Sequence, residues 1–446
     1  MKKVGIYVFT DKIKQRSTKS REGYFDGQNF IGLRYIISEI DKGKYEITYV
    51  SKDTVNDVDF VLISLTSYYD VINLINELHG KSIDSTVIVG GPGCINVELM
   101  AEIADIAVVG RGEGIINHLL DGDCEINGVW YKQSDPDINK KLKIKTLSQF
   151  IEIDDKYLGT YCEASVGCER KCYFCEYSWK NKLITKNHGY KSGIANRETR
   201  LEDLDWSIYK NKDLVTAIDG IDERTRKIIN KEISNETIRS KIQEIYDQDR
   251  DYFSLKLYCL LGYPFQHDFS PKEILETICG SSRGGGIKRL NVLMVSPHFM
   301  PMPFTPMECE PLNFKNFRNE VKRYNFKPYQ SGDIKVYWPE SQSSSPVSAV
   351  EATIIHRASR SNAGMIKRIM CSSKYRGLNV DKKIEIMQKA FGPLLGQVDE
   401  VVPFIERTYK TSKAKDKYRK AVQLNGKGII TDPGGRVDPP SAGKGS

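Results

Sequence analysis

No stretch of the 446-residue chain stays apolar for the roughly 18 residues that a membrane-spanning helix needs, so no membrane partner is expected. An export signal is also missing. The opening MKKVGIYVFTDK is basic, but its apolar run is short and stops at Asp11-Lys12, which reads as a first β-strand; a cytoplasmic location is the expectation. The ten cysteines do not form a disulfide framework, because Cys94, Cys124, Cys259, Cys279, Cys309 and Cys371 are scattered. A thiol on an apolar strand, such as Cys259, reads as a small buried hydrophobe. A strong excess of either charge is missing: 66 Lys and Arg against 58 Asp and Glu leave a net charge of +8, which permits a phosphate-rich partner without requiring one. The exception is RTYKTSKAKDKYRK, residues 407–420, with seven Lys or Arg against one Asp. It reads as a solvated basic helix or tail, or as a contact for nucleic acid or phosphate.

What is present is an alternation of strands and helices. KVGIYVF, YEITYV, DFVLISLTS, STVIVGG and DIAVVG are apolar and strand-like. Between them, NFIGLRYIISEI places Phe30, Leu33, Ile37 and Ile40 on one helical face, and DVINLINELHG ends at Gly80, a helix stop. Strands apolar throughout and joined by helices imply a parallel sheet covered on both faces, hence a doubly wound flavodoxin/Rossmann-like domain over residues 1–135. Its strand ends carry Ser64, Thr66, Gly90-Gly91-Pro92-Gly93 and Gly110-Arg111-Gly112-Glu113-Gly114. Open α/β sheets bind ligands at such ends, although neither glycine turn is a Walker loop or a G-x-G-x-x-G fingerprint.

A polar linker is expected over 136–157, and a second α/β series over 158–310. TYCEASVG, ETRLED, LVTAIDG, SLKLYCLLG and RLNVLMVSP read as its strands, and the helices between them suggest a partial or full (β/α) TIM-type barrel. Residues 311–423 read as a small C-terminal α+β element over that barrel, in which VSAVEATIIHRASRSNAGMIKRIM is a strand followed by a helix. Residues 424–446, rich in Gly, Pro and Ser, read as a disordered tail.

Cysteines concentrate only in CEASVGCERKCYFCEYSW, residues 162–179, with the spacing Cys168-x3-Cys172-x2-Cys175. Three thiolates on one loop suit one compact metal centre. Zinc in a closed site needs a fourth ligand, for which Cys162 or His188 is available. A redox C-x-x-C pair uses Cys172 and Cys175 and leaves Cys168 idle. An iron–sulfur cluster held by only three cysteines leaves one iron open to a substrate or cofactor.

That spacing, with Phe174 just before the last cysteine, resembles the signature of radical S-adenosylmethionine enzymes. The resemblance implies that Cys168, Cys172 and Cys175 hold a 4Fe-4S cluster whose fourth iron binds S-adenosylmethionine, with the Phe174 backbone near the adenine. It also implies a flavodoxin- or ferredoxin-type electron donor. TVIVGGPG and DIAVVGRGEG resemble the cobalamin-binding-type domain that precedes many such barrels, which makes cobalamin a further candidate cofactor over Ser64, Thr66, Gly90, Gly91, Gly110, Gly112 and Glu113. In VTAIDGIDERTRKIINKEIS, Glu223 and Arg224 match positions near the cofactor's polar end. LKLYCLLGYP resembles the strand bordering adenine and ribose, with Gly262 and Pro264 matching; Gln266 or His267 stands where an acidic residue is usual. SPHFMPMPFTP matches a late-strand element at Phe299, Pro301, Pro303, Thr305 and Pro306. The GGE-like motif is absent from NRETRLEDLD, leaving Asp203 or Asp205 as stand-ins. The corrinoid-ligating D-x-H-x-x-G pattern is absent too, since the only histidines before residue 150 are His79 and His118.

Four further residues stand out. His298, at the end of an apolar strand, is a candidate catalytic residue. Lys256 lies within an apolar strand and, if buried, needs a partner, either the cofactor carboxylate or a barrel carboxylate, which makes it a candidate cofactor contact beside Glu223 and Arg224. His356 and Arg357 read as a surface strand end, or as a contact for an anionic substrate. The expected function is reductive cleavage of S-adenosylmethionine followed by hydrogen abstraction from an anionic small-molecule, nucleotide or nucleic-acid substrate. Cobalamin-dependent methyl transfer is one alternative. A zinc-stapled, non-enzymatic nucleic-acid-binding protein is the other.

Overall fold

Strands that are apolar on both sides need cover on both sides, and residues 2–131 meet that demand. In the computed structural model, which describes residues 1–10, 31–123, 125–139, 141–144, 151–155, 159–163, 165–180, 183–185, 201–203, 213–248, 251–265, 272–280, 289–314, 329–331, 333–337, 346–403, 405–406 and 409–425, they form a six-stranded sheet. Its strands are β1 (Lys2–Tyr7), β2 (Tyr45–Val50), β3 (Phe60–Ser64), β4 (Thr86–Gly90), β5 (Ile106–Val108) and β6 (Val129–Tyr131), in the order β2-β1-β3-β4-β5-β6. The first five are parallel and β6 pairs antiparallel with β5. The order 2-1-3-4-5 is the flavodoxin-like doubly wound one.

Alternate residues feed two cores. Val61, Ile63, Val87 and Val89 face one cluster, and Phe60, Leu62 and Ile88 face the other. The second is closed by α1 (Ile31–Glu39) and α4 (Ile116–Asp121), the first by α2 (Tyr68–Leu78) and α3 (Val97–Met100). β6 lies near the end of the expected 1–135 domain, just before the polar linker, and is not among the strand-like runs read from the sequence. The apolar Val129-Trp130-Tyr131 is buried and completes the sheet edge.

The second series begins with an antiparallel hairpin, β7 (Glu152–Asp155) and β8 (Gly159–Cys162). A short antiparallel pair comes next, β9 (Ser165–Val166) with β10 (Ile184–Thr185), and between them lies α5 (Glu176–Lys180). The main sheet contains β11 (Asp213–Ala217), β12 (Phe253–Tyr258), β13 (Leu290–Val295), β14 (Tyr329–Ser331) and β15 (Ile334–Tyr337), in the order β11-β12-β13-β15-β14. It is parallel apart from the β14–β15 hairpin. Among the described residues it is open: β9 does not pair with β11, so no closed barrel forms. Of the expected strand ETRLED, Leu201–Asp203 is a 3-10 turn and residues before 201 lie outside the described ones. Helices α6 (Glu223–Ile228), α7 (Asn235–Tyr246) and α8 (Lys272–Cys279) follow their strands as the sequence indicates. Asp222 and Ser234 cap α6 and α7, their side chains accepting from the N–H groups of Thr225 and Thr237.

The C-terminal third departs from expectation. VSAVEATIIHR is not a strand but α9 (Pro346–Arg357), followed by α10 (Ala363–Met370), α11 (Ser373–Arg376), α12 (Val380–Leu395) and α13 (Tyr409–Asn425). Val347, Ala349, Val350, Ala352, Ile354 and Ile355 are buried, and so are Thr353 and His356, so α9 is enclosed on nearly all sides and shows little amphipathic period to betray it. Pro346 at its first position suits a helix start. Helices α9, α10 and α12 join the core on the α2 side of the first sheet. Residues 426–446, which cover most of the expected tail, lie outside the described residues. Among the described residues no helix is long and apolar enough to cross a membrane.

Candidate functional site

The thiol loop runs from β9 into α5. Gly167 makes the turn out of the strand at φ +88°, and Lys171 takes φ +53° just before the second cysteine. Backbone bonds fix the residues after it: Tyr173 N–H donates to Ile229 O at 2.9 Å, and Cys175 N–H to Cys172 O at 3.2 Å. Trp179 Nε1 donates to Cys172 O at 2.8 Å. Asn230 Nδ2 donates to Arg170 O and Lys171 O at 2.9 and 3.1 Å, tying the loop to the end of α6.

Cys172 is buried, Cys168 and Cys175 are half-buried, and all three are free thiols. Burial pushes the Cys172 thiol up to about 12; Lys231 opposes the shift, while Asp219, Cys175 and Cys168 add to it. Cys175 is also raised, chiefly by burial. Among the described residues no three His, Cys, Asp or Glu side chains close to metal-holding distances. The chemistry of the donor set, though not its spacing here, suits an iron–sulfur centre: three sulfurs on one loop, in a desolvated setting where metal coordination would deprotonate a thiol that is otherwise neutral. Of the alternative ligands, the Cys162 side chain and His188 lie outside the described residues, as do the Asp203 side chain, Asp205, Gln266 and His267.

The charged groups beside the loop were not apparent from the sequence. Asp219, one residue past the isoleucine that ends the β11 run, adopts φ +55°, and its carboxylate meets Lys231 Nζ at 2.8 Å in a buried ion pair. Desolvation pushes the Lys231 ammonium down, and the opposing pull of Asp219 and Cys172 carries it above the ordinary lysine value. Tyr263 Oη donates to Asp219 O at 2.7 Å. The available signal was Asp-Gly at a strand end, a setting that tolerates the left-handed backbone.

Nearby, Arg226 is fully buried. It donates to Ile233 O at 2.7 Å, to Gly220 O and Ile221 O at 2.9 Å each, and to Asn235 Oδ1. It is therefore the structural arginine of this segment. Glu223 pairs with Lys227 at 2.9 Å and accepts from Asn235 N–H at 3.1 Å, while Arg224 is exposed. Lys256 is only half-buried: Leu255 and Leu257 face the core, the lysine faces the other side, and its Nζ lies 5.3 Å from the Tyr258 ring centroid. The carboxylate partner expected for a buried lysine is not needed.

His298 follows β13 and bridges to Leu261 beyond β12. Gly262 there has φ +78°, and a Cβ on it would come within 3.4 Å of His298 Nδ1. A cavity of about 390 Å³ opens at these strand ends, lined by Phe174, Leu260, His298, Phe299, Met300 and Tyr68 among others. Burial pushes the His298 imidazole down to about 3, so it is neutral there. His356 and Arg357 do not form a surface strand end. His356 is buried on α9 and pushed down to about 3 by burial. Arg357 donates to Leu394 O, Gly396 O, Glu308 O and Glu310 O at 2.7–3.0 Å, stapling the loops around α9 and α12.

A larger cavity, about 450 Å³, sits at the C-terminal edge of the first sheet. It gathers Ser64, Thr66, Gly90, Gly91, Gly110, Gly112 and Glu113, and its far wall is Glu176, Tyr177 and Lys180 of α5, the helix that follows Cys175. Asp70 holds Thr66 N–H at 2.7 Å. Arg111 grips Glu163 with two bonds of 2.9 and 2.6 Å and reaches Glu113 at 3.1 Å, joining the β5 turn to the segment entering the thiol loop. Burial raises the Glu113 carboxyl, with Arg111 opposing.

No protein-family model and no curated protein matches the chain. Among solved structures it is similar to the apo, selenomethionine-labelled cobalamin-dependent S-adenosylmethionine radical enzyme OxsB, at TM-score 0.31 and 11% identity over 95% of this chain and 60% of that one. The same enzyme with aqua-cobalamin bound gives 0.24 and 9% over 82% and 48%. The chain thus spans about 60% of the length of the first of these. At such TM-scores the likeness identifies neither fold nor function.

Proposed function

We propose that this protein is a radical S-adenosylmethionine enzyme in which Cys168, Cys172 and Cys175 hold a 4Fe-4S cluster. The observation that carries the reading is the ordered three-thiol loop, set beside a cavity at the ends of β12 and β13 and backed by the Asp219–Lys231 pair. Bound there, cluster and cofactor supply one-electron reductive cleavage and hydrogen abstraction. The chain's own residues hold and shield. Asn230, Ile229 and Trp179 fix the loop backbone, and Lys231 places positive charge beside thiolates that would otherwise be costly to bury. Phe174, Leu260 and Phe299 exclude water from the adjoining cavity. His298 enters it as a neutral imidazole able to accept or donate one hydrogen bond but holding no spare proton at neutral pH. The domain bounds 1–135, 158–310 and 311–423 belong to this proposal, as do an external flavodoxin- or ferredoxin-type electron donor and cofactor contacts at Glu223, Arg224, Lys256 and Gly262.

A second reading, cobalamin-assisted methyl transfer, is favoured by the 450 Å³ cavity whose two walls are the first sheet's glycine turns and α5. Such a cavity would hold a second cofactor directly behind the thiol loop.

The test is anaerobic reconstitution with iron and sulfide, then incubation with S-adenosylmethionine and dithionite. 5′-Deoxyadenosine and methionine are expected, and serine at any of the three cysteines should abolish them. S-adenosylhomocysteine together with a corrinoid absorption band would select methyl transfer. A colourless, zinc-loaded protein that leaves the cofactor intact would overturn the proposal.

A further inference from the structure

The cavity of about 390 Å³ at the ends of β12 and β13 is walled by distant parts of the chain. Phe174 comes from the thiol loop, and Leu260, His298, Phe299 and Met300 come from the segments that leave the two strands. Tyr68 opens α2 beside the first sheet, and Ser348 lies in the first turn of α9. Tyr68 and Ser348 are hydrogen-bonded through their side chains, so α2 and α9 close one side of the cavity together. The aromatic side is held in place from behind: the ring of the fully buried Tyr263 lies 6.3 Å from that of Phe174 and 5.3 Å from that of Phe299.

Among the described residues, none of the ten that line this cavity is Asp, Glu, Lys or Arg. Its polar side chains are Tyr68, Ser348 and His298, and burial keeps the last a neutral imidazole. We propose that this cavity takes the substrate, and that the substrate is an uncharged, mainly apolar small molecule with one or two hydrogen-bonding groups. The basic stretch at 407–420 suggests an anionic substrate, and the lining argues against it. The inference rests on the radical S-adenosylmethionine reading above for calling the occupant a substrate; the chemistry of the occupant follows from the lining alone. A lone anion enclosed here gives up its hydration for no countercharge, which costs several kcal/mol. The N-terminus of α9 is the one element that favours negative charge, and such a terminus contributes only about 0.3–1 kcal/mol. Volume points the same way. Small-molecule sites run from about 300 to 1,000 Å³, so a cavity near the lower end encloses one compact molecule and no length of nucleic acid. The lining likewise offers no charged partner for the ammonium and carboxylate of S-adenosylmethionine, which separates this cavity from the cofactor's polar end.

The experiment uses the full, anaerobically reconstituted chain and two fluorescent probes that differ by a single sulfonate: neutral N-phenyl-1-naphthylamine and anionic 1-anilinonaphthalene-8-sulfonate. Ser348→Phe plugs the cavity. The binding that this plug abolishes should be about tenfold or more tighter for the neutral probe. Met300→Lys puts an ammonium at a half-buried lining position and should reverse that order. Neutral-probe binding that survives the plug unchanged overturns the assignment, and so does a sulfonate probe held there as tightly as the neutral one. Displacement of the neutral probe by S-adenosylmethionine gives the cavity to the cofactor and overturns the substrate assignment. Absence of dithionite-driven cofactor cleavage overturns the enzymatic reading instead, and the probe titrations still report the preference of the lining. Should Ser348→Phe not fold, Met300→Lys alone decides: an unchanged ratio of the two affinities overturns the proposal.

Discussion

Replacing Lys231 by Met tests the buried pair beneath the thiol loop. Asp219 and Lys231 meet at 2.8 Å with side chains only 12% and 9% exposed. At that separation and an effective dielectric near 20 the gross attraction is about 6 kcal/mol, most of it offset by desolvation of both ions. Met fills the lysine's space but leaves the Asp219 carboxylate buried and unpaired, a change that typically costs about 3–5 kcal/mol. With an m-value near 3 kcal/mol/M, the urea midpoint at pH 7 should fall by about 1–1.7 M, read by tryptophan fluorescence. Asn at position 219 suits the φ of +55° and removes the stranded charge, so Asp219→Asn/Lys231→Met should recover most of the loss. Because the Lys231 ammonium is raised, its contribution persists through neutral pH and disappears only as pH rises above the ordinary lysine range. A loss below about 1 kcal/mol for the single variant, the figure for an exposed pair, would refute burial as the source of the effect.

Acid should destabilise the fold through two histidines. His298 and His356 are pushed down to about 3, so between about pH 6.5 and 3 the unfolded chain binds two protons that the folded chain refuses. Stability is full above that window and falls as pH drops through it; in His298→Gln/His356→Gln the urea midpoint should change less between pH 7 and 5, and an unchanged slope would count against the account. Gly91 has φ +99°, and a Cβ there would sit 2.6 Å from Leu65 O. Gly91→Ala should therefore lower stability by about 1–3 kcal/mol and distort the β4 edge of the larger cavity, a change that calorimetry would detect and that an unaltered Tm would contradict.

The local part of this protein was readable in advance. Runs such as DFVLISLTS and STVIVGG are apolar at successive positions, and that alone implies a parallel sheet covered on both faces. The caps Asp222 and Ser234 belong to the same local kind, because a cap acts on an N–H group only three residues away. The rhythm Cys168-x3-Cys172-x2-Cys175 placed three sulfurs on one turn for the same reason.

What lay beyond the sequence depends on partners distant along the chain. Whether VSAVEATIIHR is strand or helix was settled by neighbours on nearly all its sides, since a segment enclosed that way, polar residues included, has little period to read. Arg357, read as a surface residue, is enclosed by carbonyls 37–49 residues away in sequence. Lys256, in an apolar run, stays half-buried because alternate residues of β12 face a fully covered side and a partly covered one. Periodicity and spacing are properties of a few consecutive residues and so are written in the sequence. Burial of a charge is a property of the surroundings, and only the packed chain decided where Asp219, Lys231 and Arg226 would be enclosed and where Lys413, Lys417 and Lys420 would face water.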